Sequence, residues 1–151
     1  GIENPEDVDL SLITEEAIYV LEKAAKERGI QIFYSKTPTF IKGNSTLIGE
    51  LVYNLLDNAV KYNKDNGKIT VFVGETAEGV ELSVKDTGIG IPKEDTERIF
   101  ERFYRVDKSH SKAVGGTGLG LSIVKHAAKL HNAKIEVDSI IGEGTLITLK
   151  F

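Results

Sequence analysis

Four glycines precede an apolar stretch in the last third of the chain. Residues 115–121 have the sequence GGTGLGL and lead directly into SIVKHAA at residues 122–128. Glycine in regular structure costs roughly 0.5–1 kcal/mol, so such a cluster indicates that the backbone approaches another group closely or adopts a positive φ. The free N–H groups and the dipole at a helix N-terminus favour an anion, most often a phosphate. We therefore expect a nucleotide-binding loop at this helix start.

Two common nucleotide-binding motifs are excluded by the spacing. The glycines follow a GxGxG pattern, and Leu121 stands where a dinucleotide-binding fingerprint has its third glycine. No predicted strand leads directly into the loop, as a Rossmann unit requires. The sequence GK[ST] of a Walker A loop occurs nowhere in the chain.

Length and composition bound the remaining classes. The 151 residues suit one domain with its own core, so we predict a single domain over residues 1–151. The chain has no cysteine and three scattered histidines, which excludes a disulfide framework and a thiolate metal site. A net charge of −4 argues against a nucleic-acid partner, and no apolar run approaches the roughly 20 residues of a membrane span. We expect a soluble fragment without direct membrane contact.

Periodicity and turn residues predict a mixed α and β chain. A first helix ends at Gly29, a second is capped by Asn44, and a hairpin turns at Glu78-Gly79. The predicted apolar face of the first helix consists of Ile13, Ala17, Val20, Leu21 and Ala24. The predicted helices cover residues 12–28, 45–62 and 122–128, with a short helix after Pro92 and a long loop at 100–116. The predicted strands cover residues 30–35, 39–42, 68–75, 80–86, 135–138 and 145–151.

A carboxylate continues an apolar row on one predicted strand. The period of two places Asp86 on the same face as Val80, Leu82 and Val84. Because burial of an unpaired carboxylate is costly, Asp86 needs a donor, and the exocyclic amine of adenine is one candidate. The segment TGIGIP at residues 87–92 would allow a flat ring to lie against the backbone. The alternative is that Asp86 only caps the next turn, as aspartate commonly does.

The second predicted helix carries a polar stripe. Glu50, Asn54, Asn58, Lys61 and Tyr62 follow one another at helical spacing, and leucines occupy the opposite side. Mg²⁺ takes few protein ligands and keeps water and phosphate oxygens, so two carboxamides one turn apart suit it. A solvated polar face is the simpler explanation for one helix. Asparagine is, however, a poor helix former, and two of them within a helix require a reason.

The predicted long loop and its approach are basic in an acidic chain. Their cations are Arg98, Arg102, Arg105, Lys108 and Lys112. Guanidinium groups suit phosphate. The aromatic residues Phe100, Phe103 and Tyr104 either anchor a mobile lid or belong to the core, and we favour the core for Phe100.

Four segments together resemble a known family. They are NLLDNAVKY at 54–62, DTGIGI at 86–91, FERFYR at 100–105 and GTGLGL at 116–121. In this order they look like the N, G1, F and G2 boxes of sensor histidine kinases, and within that family they are most similar to phosphate-sensing or cell-wall-sensing kinases of Gram-positive bacteria. The resemblance implies the Bergerat ATP-binding fold, an α/β (α+β) two-layer sandwich with a mixed, mainly antiparallel sheet covered by helices on one face.

The resemblance also implies ATP and Mg²⁺ as cofactors and a set of site residues. Asp86 would bind the adenine amine, Asn58 would be the Mg²⁺ ligand, and Asn54 and Lys61 would lie in the phosphate region. Arg102 or Arg105 would contact the γ-phosphate, and residues from about 93 to 115 would form the ATP lid. The remaining cofactor-binding residues would be Tyr62, Gly88, Gly90, Ile91, Gly116, Thr117, Gly118, Leu119, Gly120 and Leu121.

Within that family, the chain resembles the catalytic half alone. None of His110, His126 or His131 lies in a phosphoacceptor box, so the partner would be a dimerisation and phosphoacceptor domain of the same parent protein and, indirectly, a response regulator. Residues 1–9 would end the interdomain linker of a cytoplasmic domain whose parent is anchored in the bacterial plasma membrane. The related ATPases carry a glutamate where this chain has Asn54, so we expect slow ATP hydrolysis. A GHKL-type ATPase, an anti-sigma-factor serine kinase and a nucleotide-binding sensor module are the alternatives.

Overall fold

The described part of the chain contains both helices and strands. The structure is a computed structural model, and it describes residues 1–104 and 120–151. Within these ranges the helices are α1 (Leu10–Glu27), α2 (Ser45–Lys61) and α3 (Gly120–Leu130). The strands are β1 (Glu6–Asp9), β2 (Gln31–Tyr34), β3 (Phe40–Gly43), β4 (Lys68–Thr76), β5 (Gly79–Asp86), β6 (Lys134–Ile140) and β7 (Gly144–Lys150).

Five strands form the main sheet in the order β2-β4-β5-β7-β6. The pair β2 and β4 is parallel, and the other three pairs are antiparallel. The helix α2 lies in the connection between the two parallel strands, as a crossover requires. Strand β5 is central, between β4 and β7, so its last residue, Asp86, lies between Ile69 and Thr145.

The helices cover one face of this sheet. On β4, Ile69, Val71 and Val73 are buried, while the residues between them are exposed. Strand β7 shows the same alternation, with buried Ile147 and Leu149. Helix α2 packs against both α1 and α3 and contacts β5. The predicted two-layer α/β sandwich with a mixed, mainly antiparallel sheet is therefore confirmed.

The helix α1 begins earlier than predicted, and only part of its predicted apolar face, including Ala17 and Leu21, is buried. Asp9 caps it: the Asp9 Oδ1 atom accepts hydrogen bonds from the N–H groups of Ser11 at 3.0 Å and Leu12 at 3.2 Å. The predicted apolar face included Val20 and Ala24, but both are exposed, and Val20 keeps 65% of its surface. The buried residues are Leu10, Ser11, Thr14, Ala17, Leu21 and Ala25, because Thr14 can enter the core with its hydroxyl bonded to the Leu10 carbonyl.

Residues 6–9, assigned to a linker by the resemblance, form a strand. Strand β1 pairs antiparallel with β3 and buries Val8. The Glu6 carboxylate accepts a hydrogen bond from the Ser45 N–H at 3.1 Å, at the beginning of α2. This segment is therefore attached to the helix that carries the predicted polar stripe.

The helix α2 agrees with its prediction at both ends. The Asn44 side chain accepts a hydrogen bond from the Leu47 N–H at 3.0 Å and begins the helix. Its buried residues include Leu51, Leu55 and Leu56, while Asn54, Asn58 and Lys61 are partly exposed along another side. Because the leucine side of α2 is buried in the core, the polar stripe faces away from the core.

The segment after β5 begins with two short turns of 3₁₀-helix, Lys93–Asp95 and Arg98–Phe100. Phe100 is 8% exposed, which confirms its predicted place in the core. Of the predicted ATP lid at 93–115, residues 105–115 lie outside the described part of the chain. Among the described helices, none combines the length and the apolar character needed to cross a bilayer.

Candidate functional site

The central strand β5 ends in a partly buried carboxylate. Leu82 and Val84 are buried in the same row, as the period of two predicts. The Asp86 Oδ1 atom accepts hydrogen bonds from the Gly88 N–H at 2.8 Å and from the Thr145 N–H at 3.2 Å. The bond from Gly88 is the turn-capping contact that the sequence offered as an alternative, so Asp86 caps its turn from a position at the sheet centre.

Burial changes the acidity of this carboxyl. Desolvation raises the pKa of Asp86 from 3.8 to about 6, although the hydrogen bonds from Gly88 and Thr145 lower it in part. The native environment thus weakens the preference for the ionised form. A donor from a bound ligand would offset this cost, which marks Asp86 as a candidate binding group.

The two glycines after Asp86 lie so close to other parts of the backbone that a side chain would not fit. A β-carbon on Gly88 would lie 2.2 Å from the Tyr62 carbonyl oxygen. Gly90 has a φ of +75°, and a β-carbon there would lie 2.3 Å from the Ile140 carbonyl oxygen. The sequence interpretation gave these glycines to a flat ring alone. The structure adds a close backbone approach on both sides of the segment 86–91, which we call the adenine loop after the ligand that the sequence predicts there.

Hydrogen bonds hold the adenine loop to its neighbours. The Ile89 N–H donates to the Tyr62 carbonyl at 3.1 Å. The Ile91 N–H donates to the Ser139 Oγ atom at 2.8 Å. The loop therefore lies between the end of α2 and the β6–β7 hairpin.

The polar stripe of α2 reaches the beginning of α3. The Asn54 Nδ2 atom donates to the Glu50 carbonyl at 2.7 Å, and the Asn54 Oδ1 atom lies 3.1 Å from where a β-carbon on Gly120 would be. Lys61 forms an ion pair with Asp57, with 2.9 Å between Nζ and Oδ2. The structure thus places the last glycine of the glycine-rich segment beside the first asparagine of the stripe. Asn58 and Tyr62 are partly buried on the same helix end.

The structure describes only some of the residues predicted for the glycine-rich segment and the lid. Gly120 and Leu121 begin α3, as expected for a glycine loop that leads into a helix. Arg102 is exposed, and its guanidinium lies 5.4 Å from the ring centroid of Phe103, which is 63% exposed. The predicted residues Arg105, Gly116, Thr117, Gly118 and Leu119 lie outside the described residues.

The sequence interpretation missed three polar residues around the adenine loop, Asn63, Ser139 and Thr145. Thr145 is buried, and its Oγ1 atom is 2.8 Å from the Ser139 Oγ atom. Asn63 is 4% exposed, and its Oδ1 atom accepts a hydrogen bond from the Thr87 hydroxyl at 2.9 Å. Of these residues, only Asn63 could have been identified from the sequence, because it directly follows Tyr62 at the end of the predicted polar stripe. Ser139 and Thr145 come from a hairpin more than fifty residues away.

The side chains at this site suit a nucleotide whose metal ion has few protein ligands. Within the described residues, no group of three or more His, Cys, Asp or Glu side chains could hold a metal ion. Asn54 and Asn58 offer neutral oxygens one helical turn apart, which suits Mg²⁺ that keeps water and phosphate ligands. The N-terminus of α3 beside Asn54 suits a phosphate.

Comparisons with known proteins agree with this arrangement. The sequence model of a family described as "Histidine kinase-, DNA gyrase B-, and HSP90-like ATPase" matches residues 43–151. The sensor histidine kinase WalK of Bacillus subtilis is 45% identical over 111 residues, which are 72% of this chain and 18% of that protein. The sensor-like histidine kinase SenX3 of Mycobacterium tuberculosis (strain H37Rv) is 40% identical over 148 residues, which are 97% of this chain and 36% of that protein. The chain thus spans only about a third or less of the length of these relatives.

A solved structure extends the likeness to three dimensions. The mycobacterial sensor histidine kinase MprB superposes with a TM-score of 0.80 and 32% identity, over 96% of this chain and 95% of that one. The predicted Bergerat architecture is thereby confirmed.

Proposed function

This chain belongs to the family of histidine kinase-, DNA gyrase B- and HSP90-like ATPases, and we propose that it is the catalytic, ATP-binding part of a sensor histidine kinase. It would bind Mg²⁺-ATP and transfer the γ-phosphoryl group to a histidine on a dimerisation and phosphoacceptor domain of the same parent protein. A response regulator would then be an indirect partner. The parent's anchorage in a bacterial plasma membrane, and no nucleic-acid partner, belong to the same proposal.

The observation that carries the proposal is the position of Asp86. A carboxylate at the end of the central strand, with its pKa raised to about 6 by burial, suits a ligand that brings its own donor. The adenine amine is such a donor. Gly88, Gly90, Ile91 and Tyr62 would form the walls around the base.

The phosphates would extend from the adenine loop along α2 towards α3. Lys61 would exchange its ion pair with Asp57 for a phosphate oxygen. Asn58 would be the protein ligand of Mg²⁺, and Asn54 would orient the phosphate chain beside Gly120. The backbone of Gly116, Thr117, Gly118, Leu119, Gly120 and Leu121 would donate to the phosphates. When bound, Mg²⁺ supplies charge neutralisation at the phosphate oxygens.

Phosphoryl transfer depends on positioning and charge stabilisation rather than on a nucleophile from this chain. The imidazole nitrogen of the phosphoacceptor histidine would form a bond to the γ-phosphorus, while the bond from that phosphorus to the ADP oxygen breaks. Arg102 or Arg105 would stabilise the charge on the transferred group. These residues would extend from the predicted lid at 93–115.

A water-activating ATPase is the second candidate, and Asn54 argues against it. Its Nδ2 atom already donates to the Glu50 carbonyl, and a carboxamide has no basic lone pair with which to take a proton from water. We therefore expect hydrolysis on the scale of hours rather than turnovers per second.

A phosphorus NMR time course of the chain with ATP and Mg²⁺ tests both functions. Shifted or broadened phosphate lines, with ATP persisting for hours, would support the kinase half. The same sample with the parent's phosphoacceptor domain should then produce phosphohistidine and ADP. Rapid release of inorganic phosphate would favour the ATPase, and unchanged lines would contradict nucleotide binding. Asp86→Asn should weaken the line changes, whereas the exposed control Asp138→Asn should not.

A further inference from the structure

Arg28, directly after α1, holds the end of α2 through its guanidinium group. The Nη1 atom donates to the Val60 carbonyl at 2.5 Å and to the Lys61 carbonyl at 3.3 Å. The Nη2 atom donates to the Asn63 carbonyl, and the Nε atom donates to the Asp65 Oδ1 atom at 3.0 Å. One side chain therefore joins four acceptors that lie 32 to 37 residues further along the chain.

These contacts answer a need of the helix terminus. The last carbonyls of a helix lack partners within the helix, and the dipole gives that end a partial negative charge. A guanidinium group presents several donors in a fixed plane, so it can serve several carbonyls at once. Backbone bonds fix Arg28 itself: its N–H donates to the Ala25 carbonyl at 3.1 Å, and its carbonyl accepts from the Asn66 N–H at 2.8 Å.

The segment held by Arg28 is also the segment that holds the adenine loop. The Tyr62 carbonyl, between the carbonyls that Arg28 binds, accepts the hydrogen bond from Ile89. The Asn63 carbonyl faces Arg28, while the Asn63 side chain binds Thr87. A displacement of residues 60–63 would therefore move Lys61 and Tyr62 directly and the adenine loop through two hydrogen bonds.

We propose that Arg28 is a positioning residue for the nucleotide. It does not enter the site that we assign to ATP; it fixes the end of α2 and, through Tyr62 and Asn63, the adenine loop. This inference rests on the proposed nucleotide-binding function. It gives α1, which follows the predicted linker segment, a defined mechanical connection to the base-binding side of the site.

The test compares nucleotide affinity in matched variants. Calorimetry with ADP and Mg²⁺, at a temperature where every variant is folded, should show about a tenfold higher Kd for Arg28→Ala, equivalent to about 1.4 kcal/mol. Arg28→Lys should show a partial loss, because an ammonium group cannot serve four acceptors in this geometry. Two control variants should keep the wild-type Kd. Leu21→Ala destabilises the chain by shortening a buried side chain of α1, and Lys26→Ala removes an exposed cation.

Hydrogen exchange in the absence of nucleotide provides a second readout. Arg28→Ala should accelerate exchange at the Ile89 and Asn66 amides selectively, whereas Leu21→Ala should accelerate exchange without this selectivity. If Arg28→Ala does not fold, Arg28→Lys carries the same two measurements.

The outcomes separate the two levels of the proposal. The role of Arg28 would be overturned if the wild type binds ADP and Arg28→Ala has the same Kd. It would also be overturned if the affinity of each variant falls only in proportion to its stability. In both cases the proposed nucleotide site would be unaffected. No ADP binding by the wild type would overturn the nucleotide function and this inference with it. Selective loss in the Arg28 variants would support both.

Discussion

The imidazole of His131 accepts a hydrogen bond from the backbone N–H of Asn44 at 3.1 Å. The Nδ1 atom of the same ring is 2.7 Å from the Ala127 carbonyl, so Nδ1 carries the hydrogen and Nε2 is the acceptor. His131 thus links the end of α3 to the beginning of α2.

The first prediction concerns this link. His131→Ala should lower the free energy of unfolding by about 1–3 kcal/mol, because it leaves the Asn44 N–H without its acceptor. His131→Gln should lose less, since its side-chain oxygen can still accept. Urea unfolding measures both, and His126→Ala on the exposed side of α3 is the control. Equal losses in the alanine and glutamine variants would contradict the hydrogen-bond explanation.

The second prediction uses the raised pKa of Asp86. With a pKa of about 6 in the folded chain against 3.8 as the reference value, the native state binds the proton more tightly between pH 4 and pH 6. This group's contribution to stability is therefore present below pH 4 and is lost as the pH rises through 6. Asp86→Asn should be more stable than the wild type by about 1–3 kcal/mol at pH 7, with the difference vanishing near pH 4. Thermal unfolding across this range measures it, and a difference that grows towards low pH would show that the sign is wrong.

The third prediction concerns adenine binding by the same carboxyl. Adenosine has no phosphate to titrate, so its affinity reports on the base-binding side alone. The wild-type affinity should fall as the pH decreases through about 6, because protonated Asp86 is a weaker acceptor. Asp86→Asn should bind weakly and without this pH dependence. NMR shift titrations measure both, and a pH-independent wild-type affinity would remove Asp86 from base recognition.

The fourth prediction compares two glycines. Gly88→Ala would place a β-carbon 2.2 Å from the Tyr62 carbonyl, so we expect a loss of about 1–3 kcal/mol in stability together with weaker adenosine binding. Gly49 lies within α2, and a β-carbon there would have no neighbour within 4 Å. Gly49→Ala should therefore gain about 0.5–1 kcal/mol and bind adenosine like the wild type. Denaturant unfolding and NMR titration test the pair, and an unaffected Gly88→Ala would exclude the close approach.

The parts of the fold that sequence predicts are those with local signals. The cap at Asn44, the leucine side of α2 and the alternation on β5 are all visible within one turn or one strand. Strand β1 was missed because only Val8 is buried in it, and its pairing with β3 supplies what the acidic sequence does not indicate. Thr145 was missed because its contact with Asp86 depends on the pairing of two strands, and these two residues are 59 positions apart in the sequence. The apolar Val20 was misassigned because two polar residues, Ser11 and Thr14, take core positions on α1.

The seam between β5 and β7 has a kinetic consequence. The hairpins β4–β5 and β6–β7 each close over a short loop, whereas joining them must overcome the chain entropy of the long segment that separates Asp86 from Thr145. Contacts of such sequence separation slow folding. We therefore expect this seam to form after the two hairpins. The Asp86 carboxylate would then acquire its second backbone donor late, and a newly synthesised chain would gain the proposed capacity to bind adenine only near the end of folding.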